Sequence, residues 1–66
     1  MTEQEIVELA AILINEHGEA ALEIAERRRD QYARERHSDA FRLWTQIAEA
    51  TAGLLQERVP QSVGER

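Results

Sequence analysis

An all-α protein is the expectation for this 66-residue chain, as an antiparallel helical hairpin with a long helix over about residues 3–35 and a shorter one over about 39–58. Three observations predict it. Apolar residues recur at helical spacing in both halves, a capping pattern stands at the head of the first stretch, and one polar break, "RERHSDAF", separates the two. Residues 1–58 then form a single helical domain, and 59–66, beginning near Pro60, form a flexible C-terminal tail.

The first helix begins at Thr2. Its hydroxyl is spaced to accept from the third helical N–H, while Glu5 reaches back to the N–H of Thr2. Beyond it run two apolar rows: Ile6, Leu9, Leu13, Ala20 and Ile24, and beside them Val7, Ala11, Ile14, Gly18, Ala21, Ala25 and Tyr32. Neither row shifts phase at Gly18. "NEHG" reads as a helix terminus, but the following "EAALEI" has no Ser, Thr, Asp or Asn to cap a new helix. The sequence therefore favours continuation, with Gly18 carrying a penalty of about 1 kcal/mol relative to alanine. Close approach of another backbone to the low ridge Gly18, Ala21 and Ala25 would offset it. A three-helix bundle broken at Gly18 is the alternative.

Arginines in the last turn and a cap at Ser38 or Asp39 predict the turn to the second helix. Its buried face is expected to carry Phe41, Trp44, Ile47, Ala48, Thr51, Leu54 and Leu55, flanked by Leu43 and Ala50, with Arg42, Gln46, Glu49 and Gln56 in water. At about 1.5 Å per residue the long helix spans roughly 50 Å and the short one roughly 30 Å. Trp44 then lies beside Arg28 and Tyr32, and the short helix ends near Gly18. Ile6, Leu9, Leu13 and Ile14 are left without a partner, at about 1.5–3 kcal/mol each. A second copy would cover them, giving a homodimeric four-helix arrangement with self-association through Ile6, Leu9, Leu13, Ile14, Gly18 and Ala21.

Composition narrows the chemistry. Cysteine is absent, which removes disulfides and thiolate metal sites. No apolar run approaches the roughly 20 residues that span a bilayer, and "MTEQEIVE" lacks a signal peptide's basic region, so a cytoplasmic protein without membrane contact is expected. His17 and His37 stand about 30 Å apart on a continuous helix, and neither lies in an E-x-x-H or H-x-x-x-H pattern; no metal or other cofactor is expected. Both read as boundary residues, although His17 near a dimer crossing would also suit a pH sensor. Glu5, Glu8, Glu16, Glu19 and Glu23 fall on the polar arc of one helix, not across a cleft, so no catalytic pair and no small-molecule substrate are expected.

Charge is polarised within the net −5: residues 1–25 hold six Glu and no basic residue, and 26–37 hold five Arg against three acids. Arg27, Arg28, Arg34 and Arg36 suggest a nucleic-acid contact, with Tyr32 as a stacking ring, yet interleaved acids favour pairs such as Glu23 with Arg27 and Asp30 with Arg34. Tyr32, Phe41 and Trp44 gather the aromatic mass near the turn, where they would serve as core or as the anchor for a protein partner.

Leu13, Ile14, His17, Gly18, Ala21, Ala25 and Arg28, followed by Asp39, Trp44, Ile47, Ala50 and Leu54, resemble the "LI..HG..A...A..R" and "W..I..A" segments of a group of short bacterial helical-hairpin proteins. The likeness spans roughly residues 9–55, with Ser38-Asp39 where such proteins often have Gly-Asp. It implies a helical hairpin and no catalytic activity. The expected function is that of a small regulator or adaptor working by protein contacts, not an enzyme; the alternative is a small nucleic-acid-associated regulator.

Overall fold

The computed structural model describes residues 1–58, so the expected C-terminal tail lies outside the described residues. Three helices follow one another: α1 (Glu3–His17), α2 (Ala20–Arg34) and α3 (Ser38–Arg58). There is no strand among the described residues. The expected single helix over 3–35 is therefore two helices, and the three-helix alternative fits the chain path.

The start of α1 is as its sequence dictates. The Thr2 hydroxyl accepts from Glu5 N–H at 3.2 Å and Thr2 N–H donates to Glu5 Oε1 at 2.9 Å, a reciprocal capping box. The end of α1 turns on Gly18. Its N–H donates to the Ile14 carbonyl at 2.7 Å, and its backbone then swings to φ 61°, ψ −134°. That conformation mirrors polyproline II and is accessible essentially to glycine alone. A β-carbon added there would meet no atom within 4 Å, so Gly18 serves the backbone path and not the close approach expected of it.

Helix α2 starts without a side-chain cap, as "EAALEI" implies; Ala21 N–H donates to the Gly18 carbonyl at 3.1 Å instead. A missing cap costs about 1 kcal/mol. The reversal it permits folds α1 back onto α3 and, less extensively, onto α2. Ile6 and Ile14 become buried and Leu9 and Leu13 half-buried within the same chain. At about 1.5–3 kcal/mol for each full burial, that gain outweighs the cap. The four aliphatics that motivated a second copy are thus sheltered by the molecule itself.

The core joins all three helices: Ile6 from α1, Ala25 from α2, and Ile47 and Ala48 from α3 form one cluster, against which Leu9, Leu13, Leu22, Leu43, Trp44 and Ala50 pack. Ala10 is fully buried although it belongs to neither expected row; it completes the i, i+4, i+8 series with Ile6 and Ile14. Small residues at Ala10, Ala21, Ala25 and Ala48 let the helices approach closely. Thr51 is buried with its hydroxyl donating to the Ile47 carbonyl at 2.7 Å, so no polar group is stranded there.

Arg42, Gln46, Glu49 and Gln56 face solvent as expected, but Phe41 does not join the core and is 38% exposed. Val7 and Ile12 also remain exposed on the flanks of α1. Among the described residues every side-chain hydrogen bond and ion pair is local to one helix or turn, so packing holds the helices together. No helix among the described residues is long and apolar enough to cross a membrane.

Candidate functional site

The residues that depart most from local expectation gather at the turn between α2 and α3. Helix α2 ends in a six-residue closure in which His37 N–H donates to the Tyr32 carbonyl at 3.0 Å and Arg36 N–H to the Ala33 carbonyl at 3.3 Å. These are the two bonds of a Schellman motif, whose left-handed position is normally glycine. Here it is Arg36, at φ 62°. The apolar contact that usually accompanies the motif is made by the Tyr32 and His37 rings, edge to face with centroids 6.0 Å apart.

An L-residue held left-handed is strained by about 1–2 kcal/mol. Arg36→Gly is therefore expected to raise stability by about 1 kcal/mol. A urea titration reading helicity would check it, and an unchanged or lower midpoint would show that the Arg36 side chain offsets its own backbone strain.

The next helix starts at once. The His37 carbonyl accepts from Phe41 N–H at 2.8 Å, so Ser38 and Asp39 fall within the first turn of α3 and neither is the cap expected of them. This places Phe41 beside the end of α2. Tyr32, Ala33, Arg36, Ser38 and Phe41 line an open dent of about 330 Å³. An adjoining dent of about 420 Å³ is bordered by Tyr32, Arg36, His37, Ser38, Asp39 and Ala40. Helix α1 contributes nothing to either; the turn and the adjoining ends of α2 and α3 build this surface.

Of the expected anchor residues, Tyr32 and Phe41 meet here. Trp44, one turn further along, is half-buried with the Arg28 guanidinium 5.4 Å from its ring centroid, the neighbour expected for it. That contact joins α2 to α3 through a cation and a ring face.

The four candidate nucleic-acid arginines differ in their partners. Arg27 pairs with Glu23 at 2.8 Å and Arg28 lies over Trp44. Asp30 pairs with Arg29 at 3.0 Å and not with Arg34 as expected. Arg34 and Arg36 are exposed and have no ion pair among the described residues.

The expected self-association residues lie in the interior: Ile6, Ile14 and Ala21 are buried, and Leu9, Leu13 and Gly18 half-buried. His17 and His37 sit at different turns, 3.8 Å from Glu16 and 3.6 Å from Glu35 respectively. Glu5, Glu8, Glu16, Glu19 and Glu23 are all exposed. Where α1 meets α3, a dent of about 530 Å³ is bordered by Met1, Glu3, Ile6 and Val7 on one side and Gln46, Glu49 and Ala50 on the other.

The chain matches no protein-family model, no curated protein and no solved structure.

Sequence reasoning had the aromatic residues of this surface but not its shape. The left-handed Arg36 went unseen because no glycine marks it. The only available signal was the tight spacing between the last α2 residue and the polar "HSD" that opens α3.

Proposed function

We propose that this protein is a non-enzymatic helical module that acts through protein–protein contacts, including association with a second copy of itself, and that Tyr32, Arg36 and Phe41 form the anchor for a partner. The observation that supports the reading most is Phe41: a large ring 38% exposed, beside Tyr32 and a strained arginine, on an open dent. Aromatic and arginine side chains carry most of the energy of protein interfaces when a partner desolvates them.

Phe41→Ala tests this reading, because it removes the anchor from a position outside the core. A partner captured from the organism's lysate by the wild-type protein and lost by Phe41→Ala, at unchanged helicity, supports it. A partner retained equally by both moves the contact elsewhere.

The second reading, a nucleic-acid-associated regulator, rests on Arg34 and Arg36, which have no carboxylate partner among the described residues. It requires a gel shift at low salt that fades steeply as salt rises and is lost in Arg34→Ala/Arg36→Ala. No shift at low salt removes it.

A further inference from the structure

Helix α1 is joined to the rest of the chain by two residues, Gly18 and Glu19. Among the described residues it makes no side-chain hydrogen bond or ion pair to α2 or α3, and its hold is an apolar seam in which Ile6, Ala10 and Ile14 are buried and Leu9 and Leu13 half-buried. Apart from the terminus-like "NEHG", the sequence across the joint reads as helix: the apolar rows keep their phase through Gly18, and "EAALEI" consists of good helix formers. A short joint, a docked element without directional bonds and an in-phase continuation are the conditions under which identical elements exchange between copies.

We infer that the second copy this chain accepts is itself, by exchange of α1: Gly18 straightens, α1 and α2 run on as one helix over about residues 3–34, and α1 packs on α3 of the partner. This rests on the self-association proposed above and names its surface. The exchanged contacts are those of the closed chain, so the occupant of the α3 seam is already specified by the seam's own α1. Opening also releases the glycine-only conformation at residue 18 and adds the helical turn missing between His17 and Ala20.

The chain has no cysteine, so Val7→Cys/Gln46→Cys, at two residues bordering one dent, supplies its only thiols. The double variant, refolded at millimolar concentration, is sized by light scattering and treated with a short bismaleimide. A species of twice the 7.6 kDa chain mass whose two chains become covalently joined supports exchange. A dimer in which the link stays within each chain overturns exchange while leaving self-association through another face. A monomer at every concentration overturns both.

Gly18→Ala is the second arm. It should lower the dissociation constant of the dimer by at least about a hundredfold, since alanine disfavours the closed turn and favours the open helix in both chains. An unchanged constant overturns the inference. If Gly18→Ala does not fold, the cross-linking result decides alone.

Discussion

Gly18→Ala is expected to destabilise the closed, monomeric chain by about 1–3 kcal/mol, as a shift of the urea midpoint measured at high dilution. The direction of the effect is the informative part. In an uninterrupted helix the same change stabilises by about 1 kcal/mol, because glycine is the poorer helix former. In the reversal, alanine is forced into φ 61°, ψ −134°, and no steric crowding confuses the result because the space around the new β-carbon is empty. Chemical synthesis offers a control of opposite sign. A D-alanine at residue 18 would occupy its own equivalent of polyproline II and should leave stability equal or higher.

Ile47→Ala is expected to cost about 2–5 kcal/mol. Ile47 is 1% exposed and belongs to the cluster that draws on all three helices, so its removal leaves a void that no single helix can close by shifting. For a chain of this size such a loss rivals the entire folding free energy. Calorimetry or far-ultraviolet circular dichroism should show no cooperative melt near room temperature for this variant. Ile12→Ala is the matched comparison. Ile12 is 52% exposed, and its truncation should move stability by no more than about 0.5 kcal/mol. Equal effects at the two isoleucines would show that the packed face of α1 is assigned wrongly.

The helical class was legible in the sequence because short-range chemistry determines it: the Thr2 and Glu5 cap, the 3.6-residue periodicity and the polar "HSD" each act within one or two turns. The same holds for the solvent face of α3 and for the meeting of Arg28 with Trp44, which needs only the register of an antiparallel pair. The break at Gly18 is a different kind of event. The local signals there divide within about 1 kcal/mol, Gly18 and "NEHG" favouring a stop while the unbroken phase and the absent cap favour continuation, and the choice goes to a non-local gain from burying Ile6 and Ile14 and half-burying Leu13 within the chain. Periodicity records which residues want burial, not which molecule provides it. Phe41 was misplaced for a related reason. It lies at the edge of the apolar arc of α3, and the turn of α2 that would cover it has already ended in the Arg36 closure. The aromatic identity of the candidate site was therefore readable, whereas its openness depended on a backbone conformation that no residue type announces.

Trp44, the chain's sole indole, sits on the α2–α3 hairpin beneath Arg28. Its fluorescence is thus weighted toward that hairpin, although the cluster it packs against also holds Ile6 of the first helix. Ellipticity at 222 nm counts every helical residue alike. If the first helix lets go before the hairpin melts, the two signals will separate along a thermal ramp, ellipticity completing a larger share of its change than emission in the first step. Coincident curves would mean that the three helices part company in a single step.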